Sequence, residues 1–253
     1  MRAQALRTFR LFLIFGSVFA LGAPARTQEV TVSARIKQID GRRKSEAARA
    51  GKVVVWLTPS GGGPAPRPVP GQRLRLTQRN KSFEPHLLVV PVGAVVEFPN
   101  HDPFFHNVFS LFEGKRFDLG LYEAGTTRNV SFDRVGISYI FCNIHPEMSA
   151  VVIALDTPYY GVSNRQGEIA IPNVPAGNYT MRAWAETASP EDLSALTRAV
   201  KVSDSNSTLG VLEIRGSAVS TAHKNKFDLD YEPPPPNSPG YEEPLRRTMS
   251  VPR

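Results

Sequence analysis

Cysteine is almost absent from this sequence, because Cys142 is the only one among 253 residues. A lone cysteine cannot form a disulfide within its own chain, so its thiol is either a small buried apolar group or a metal ligand. Long apolar runs are also missing after the first 25 residues. Since a helix needs about 20 apolar residues to cross a bilayer, we expect no integral membrane span beyond that amino-terminal stretch.

No set of nucleophile, base and orienting residue stands out along the chain, so we expect the protein not to be an enzyme. The formal net charge is +7, but the charges form no basic stripe with interleaved aromatic residues. Such a stripe is typical of nucleic-acid binding, and we therefore expect no nucleic-acid partner.

The amino terminus has the pattern of a bacterial Sec-type signal peptide. Three arginines in the first ten residues precede an apolar run at residues 11–21, and Ala23-Pro24-Ala25 supplies the small residues of a cleavage site. Removal of residues 1–25 would lower the net charge from +7 to +4, since it removes three arginines and no acidic residue. We expect a periplasmic or secreted protein.

The rest of the chain is predicted to be all-β. Short stretches of alternating or β-branched residues recur between Gly and Pro turns, and no window before residue 156 shows a long helical period. We predict one β-sandwich domain at residues 26–155, a boundary at Asp156-Thr157-Pro158 and a second, small β-sandwich at residues 156–215. Residues 216–253 are Pro-rich and are predicted to form a disordered tail.

Metal-ligand residue types concentrate in one short stretch after a predicted strand. Cys142, His145 and Met148 follow one another at spacings of three, so a tight turn can bring the thiolate, imidazole and thioether to one point. Together with a second imidazole they form the ligand set of a blue-copper site. His106 is the best candidate for that imidazole, and His101 is the rival, in a turn that we expect to be solvated.

These residues resemble the metal loop of cupredoxins. The stretch 142–148 has the short Cys-x2-His-x2-Met spacing of amicyanin, and His106-Asn107-Val108 is similar to the upstream His-Asn stretch of that family. The resemblance implies a cupredoxin-like Greek-key β-sandwich and a bridging role for Asn107 between the two ligand segments. It also implies one type 1 copper ion, with the ligands His106, Cys142, His145 and Met148.

The second module resembles a carboxypeptidase-regulatory-like β-sandwich. The similarity is carried by the turn at residues 164–168 and by the stretch 174–184. The order of the two modules resembles exported bacterial proteins of the methylamine-utilisation-like kind.

The resemblance implies a one-electron carrier between periplasmic redox partners, with electrons leaving near His145. One alternative is a copper-binding or copper-handling protein, although the four methionines form no cluster suited to exchangeable Cu(I). A second alternative is an interaction protein that uses the β-sandwiches as a scaffold. A copper enzyme is disfavoured, because five histidines without a His-x-His pair are few for a second copper centre.

Overall fold

The computed structural model describes residues 29–40, 52–63, 66, 68, 71–111, 114–216 and 223–231. The predicted signal peptide lies outside the described residues, as do residues 217–222 and 232–253 of the predicted tail. Within the described part of the chain, no helix is long and apolar enough to cross a membrane.

The regular secondary structure of the described chain is almost entirely strand, as predicted. Its only helix among the described residues is α1 (Pro190–Leu196), which Ser189 caps by accepting a hydrogen bond from the Asp192 N–H. The strands are β1 (Glu29–Asp40), β2 (Val53–Pro59), β3 (Leu74–Arg75), β4 (Thr77–Arg79), β5 (Ser82–Glu84), β6 (Leu87–Pro91), β7 (Ala94–Pro99), β8 (His106–Ser110), β9 (Phe117–Tyr122), β10 (Thr127–Phe132), β11 (Gly136–Cys142), β12 (Ser149–Leu155), β13 (Tyr160–Val162), β14 (Glu168–Pro175), β15 (Gly177–Ala185), β16 (Arg198–Val202) and β17 (Thr208–Gly216).

The first sandwich, defined as residues 74–155, packs two sheets against each other. One sheet has the strand order β10-β7-β3 and the other the order β6-β12-β11-β8-β9, with the hairpin β4-β5 beside them. Apolar residues of both sheets form one core, which includes Val96, Phe98, Phe132 and Val152. Buried and more exposed residues alternate along β7 and β10, whereas β8 and β12 of the five-stranded sheet are buried on both faces.

The second sandwich, defined as residues 29–59 and 160–216, has its own apolar core. Its sheets have the strand orders β14-β1-β17 and β13-β2-β15-β16. Val55, Ile171, Met181 and Leu212 are among the residues that fill the space between them.

The predicted domain boundary is wrong for the first two strands. Residues 29–59 were assigned to the metal-loop domain at 26–155, but β1 pairs with β14 and β17, and β2 pairs with β13 and β15. The first sandwich is therefore inserted between β2 and β13 of the second. An alternating pattern identifies a strand, but it does not say which distant strand will cover its apolar face.

The two sandwiches meet along an apolar seam. Val151 and Ile153 on the five-stranded sheet pack with Val54 and Trp184 of the second sandwich. Trp184 also lies within hydrogen-bond distance of the Tyr139 hydroxyl, at 3.4 Å from Nε1 to Oη. The seam uses the face of the five-stranded sheet that points away from the core of the first sandwich, since Val151 and Ile153 alternate with the core residues Ala150 and Val152.

Candidate metal centre

Three side chains converge where β8 begins and β11 ends. His106 is the first residue of β8, Cys142 is the last residue of β11, and His145 lies in the loop that follows. The Cys142 Sγ atom is 3.5 Å from His106 Nδ1 and 3.5 Å from His145 Nδ1, and the two nitrogens are 3.2 Å apart. An atom at the centre of this triangle would lie about 2 Å from each corner, which matches a metal–nitrogen bond and is slightly shorter than a metal–sulfur bond of about 2.3 Å.

The triangle is shielded from solvent. Cys142 and His106 are fully buried, and His145 is 7% exposed. The loop closes tightly, because the Met148 N–H donates to His145 O at 3.0 Å and the Cys142 N–H donates to Met148 O at 3.2 Å. These bonds bring Met148, which is also fully buried, back beside Cys142.

Asp102 fixes the orientation of His106. Its Oδ2 accepts a hydrogen bond from His106 Nε2 at 2.9 Å, and the carboxylate is further held by the N–H groups of Asn80 at 2.6 Å and Lys81 at 3.0 Å. With its proton on Nε2, the ring directs the Nδ1 lone pair into the triangle. Burial opposes ionisation of Asp102, but these hydrogen bonds hold the pKa of its carboxyl below the usual value.

The environment keeps both imidazoles neutral. Burial lowers the pKa of His106, although the Asp102 carboxylate opposes the change. Burial, followed by repulsion from His106, lowers the pKa of His145 to about 4. Since a metal binds the unprotonated nitrogen, the two rings are ready for a metal at neutral pH.

The thiol of Cys142 lies in a dry site with donors aimed at sulfur. Burial raises the pKa of Cys142, while hydrogen bonds from the backbone N–H groups of Ile144, Asn107 and His145 act in the opposite direction. A bound cation would reverse the effect of burial by deprotonating the thiol. The arrangement therefore suits a thiolate that is paired with a metal.

Asn107 bridges the two ligand segments through its backbone, not through its side chain. The Asn143 N–H donates to Asn107 O at 2.8 Å, whereas Asn107 Nδ2 donates to Asp118 Oδ1 at 2.6 Å. The bond from the Asn143 N–H continues the pairing of β8 with β11, and the Asn107 side chain is directed to β9 instead.

The remaining histidines lie outside the triangle. His101, the rival ligand, is exposed, with Nδ1 3.1 Å from an Arg79 guanidinium nitrogen. His86 faces Glu186 of the second sandwich at 2.9 Å. His223 stacks on Phe141, with ring centroids 4.1 Å apart. In the described part of the chain, the only group of three or more His, Cys, Asp or Glu residues that could hold a metal is therefore His106, Cys142 and His145.

One aromatic side chain packs against both histidines of the triangle. The Phe104 ring lies 5.3 Å from that of His106 and 5.4 Å from that of His145. Phe105, the residue before His106, is 50% exposed. Phe105 therefore marks the surface next to the ligands and does not help to exclude water from them.

Two groups of functional residues were missed by the sequence analysis. Asp102 was assigned to a solvated turn, yet it is 4% exposed. A carboxylate four residues before a candidate ligand histidine is a usable signal, since such histidines commonly donate their second N–H to a carboxylate. The other group is the segment 223–231, which was predicted to be disordered but lies against the candidate ligand loop. No periodic pattern in its sequence predicts this contact.

The chain matches no protein-family model, and no curated protein matches it at a significant level. Among solved structures it is similar to a purple cupredoxin from Nitrosopumilus maritimus, with 22% identity over 32% of this chain and 99% of that one and a TM-score of 0.30. Amicyanin from Paracoccus versutus has 21% identity over 34% of this chain and 85% of its own, with a TM-score of 0.31. A copper-containing nitrite reductase from Thermus scotoductus has 20% identity over 48% of this chain and 28% of its own, with a TM-score of 0.33.

Proposed function

We propose that this protein binds one copper ion as a type 1 centre and carries single electrons. The observation that carries the proposal is the buried triangle of one sulfur and two nitrogens, at 3.2 to 3.5 Å. A thiolate with two imidazoles in a trigonal set is typical of blue-copper sites, whose axial ligand is long and weak. We assign that axial position to Met148 because of its burial beside Cys142.

The surroundings of the ligands suit electron transfer. When bound, copper would supply a one-electron redox couple. The protein contributes a fixed geometry: Asp102 orients His106, backbone N–H groups near the Cys142 sulfur favour its thiolate, and Phe104 packs on both imidazoles. Ligands that are held in this way move little between oxidation states, and their hydrogen bonds tune the potential.

The surface beside His145 and Phe105 is the proposed docking site for a periplasmic redox partner. His145 is the ligand that retains some exposure, and Phe105 presents an exposed ring three residues after the buried Asp102. Transient redox encounters use small interfaces, so a modest apolar contact near one ligand is sufficient. The signal-peptide pattern of residues 1–25 supports the proposed location.

The test is the visible absorption spectrum of the mature protein with Cu(II), repeated on Cys142→Ser and His106→Ala. We expect an intense thiolate-to-copper band in the wild type and its loss in both variants. His101→Ala is the matched control and should keep the band, because His101 lies outside the triangle. A colourless wild-type protein that still binds Cu(II) would contradict the type 1 assignment.

A further inference from the structure

The segment 223–231 forms a defined turn. Asn225 Oδ1 accepts hydrogen bonds from the N–H groups of Phe227 at 2.9 Å and Leu229 at 3.1 Å. The Asn225 backbone is also bonded to Leu229 O at 2.9 Å and to the Asp228 N–H at 3.0 Å. Because the turn satisfies its own polar groups, Lys226 and Tyr231 are presented in a fixed arrangement.

This turn holds the peptide that follows the cysteine. The Tyr231 hydroxyl donates to Cys142 O at 2.7 Å, and the Lys226 N–H donates to Asn143 Oδ1 at 2.9 Å. His223 adds a stacked contact with Phe141, at 4.1 Å between ring centroids and 27° between planes. Three consecutive residues of the chain, Phe141 to Asn143, are therefore held from outside the sheet.

The same turn reaches the other ligand segment. Lys226 Nζ lies 2.8 Å from Asp118 Oδ2, and Asp118 Oδ1 accepts the hydrogen bond from Asn107 Nδ2. Asn107 follows His106 directly and accepts the Asn143 N–H through its carbonyl oxygen. Lys226 is thus connected to both strands that carry ligands.

We propose that residues 223–231 are a clamp on the metal centre, in which Tyr231 and Lys226 are positioning residues that hold the His106 and Cys142 segments together before a metal arrives. The inference rests on the proposed function only for the identity of the metal. A preorganised ligand set loses less freedom on binding and releases its metal more slowly.

The clamp can be tested first without metal, by hydrogen exchange of the metal-free, full-length protein. Tyr231→Phe removes one hydroxyl and keeps the ring. We expect exchange at residues 142–149 to become about three- to ten-fold faster, as the loss of one hydrogen bond predicts. Tyr179→Phe is the matched control, since its hydroxyl also donates to a backbone carbonyl at 2.7 Å, that of Pro175 in the second sandwich. It should leave exchange at residues 142–149 unchanged.

A purely structural role would give a different pattern. If the segment only stabilised the fold, Tyr231→Phe would raise exchange throughout the first sandwich, including Val130 and Phe132 in the opposite sheet. Exchange that is unchanged at residues 142–149, or raised equally everywhere, would overturn the clamp. Lys226→Met offers a second variant that keeps the backbone N–H bond to Asn143 and removes the ammonium that contacts Asp118 and the exposed Phe227 ring.

Metal release supplies the second measurement. Cu(II)-loaded protein is mixed with a chelator, and the rate of metal loss is compared for wild type, Tyr231→Phe and Tyr179→Phe. We expect release to be several-fold faster for Tyr231→Phe alone, and equal rates would overturn the clamp. If the wild type shows no thiolate-to-copper band while Tyr231→Phe still loosens the metal-free loop, the copper proposal fails and the clamp stands.

Discussion

The two sandwiches of this protein bury different kinds of side chain. Each has two packed sheets and a continuous apolar core. Among the described residues, however, eight of the nine buried polar or charged residues lie in residues 74–155, and the ninth, Thr157, lies in the connection to the second sandwich. In the described part of the chain, the core of the second sandwich is apolar apart from the hydroxyls of Tyr159 and Tyr179, whereas the first sandwich contains a buried polar site.

The difference shows that the first sandwich contains a region that apolar packing alone does not explain. A buried polar group without a partner costs about 1–3 kcal/mol, so each must be matched by a hydrogen bond or a metal. Asp102 and His106 are matched to each other, but the Nδ1 atoms of His106 and His145 and the sulfur of Cys142 face one another. Three metal-ligand atoms that converge in this way are what a metal ion would complete.

The largest effects are expected when the same substitution is made at a fully buried methionine in each sandwich. Met181 lies in the apolar core of the second sandwich, and Met148 lies beside Cys142. Met181→Ala should lower the free energy of unfolding by about 2–5 kcal/mol, because it leaves a cavity. The visible band of the copper-loaded protein should keep its wavelength, as absorption spectra below the unfolding transition can check. A shifted band would show that the two sandwiches are coupled.

Met148→Ala is the matching change in the first sandwich. We expect a comparable loss of stability together with a change in the visible spectrum and the reduction potential, because the proposed axial ligand is removed. Absorption spectra and potentiometry of the loaded protein provide the check. An unchanged spectrum and potential would make Met148 a core residue like Met181.

Asp102→Asn tests whether the buried carboxylate of the first sandwich orients His106 for metal binding. Three donors point at its two oxygens, from Asn80, Lys81 and His106. An amide has only one acceptor oxygen, so at least one donor loses its partner. We expect metal affinity to fall by about 10–100-fold, as measured by chelator competition. The control is Asp133→Asn, which changes an exposed carboxylate paired with Lys115, and equal affinities in the two variants would refute the orienting role.

Local patterns predicted the all-β class and singled out the candidate ligand residues. Alternation in the sequence is typical of a strand at β10 (Thr127–Phe132), and Cys142, His145 and Met148 lie close together because one short loop carries them. β9 is harder to recognise, because Gly120 adopts a positive φ of 67° and the pairing of β8 with β9 shifts register between Asn107 and Phe109. A bulge of this kind hides the period of two.

Contacts between residues that are far apart in the chain could not be predicted from the sequence. Nothing in β1 indicates that its partners are β14 and β17, more than 120 residues away. The clamp residues Lys226 and Tyr231 lie in a polar, Pro-rich context whose composition predicts disorder. Their contacts exist only because the first sandwich offers the Cys142 carbonyl and Asp118 at the right places.

The smallest expected effect concerns the contact between the sandwiches at His86. Its Nε2 lies 2.9 Å from a Glu186 carboxylate oxygen, and its Nδ1 lies 3.0 Å from Ser149 O. Because both ring nitrogens face acceptors, the charged, doubly donating form is favoured. The hydrogen bond to Glu186 raises the pKa of His86, although burial and the charge of Lys52 oppose this change.

A raised pKa in the folded state means that protonation stabilises the fold. The contribution is fully present below the ordinary pKa of histidine and is lost as the pH rises through the folded value. His86→Gln should therefore destabilise the protein more at about pH 5.5 than at about pH 8.5, by no more than about 1 kcal/mol because the pair is partly exposed. Urea denaturation at both pH values measures the difference.

Glu186→Gln should show the same pH dependence, and His86→Gln added to it should cost little more, since the two residues share one interaction. An equal cost of His86→Gln at both pH values would mean that the imidazole contributes as a neutral ring.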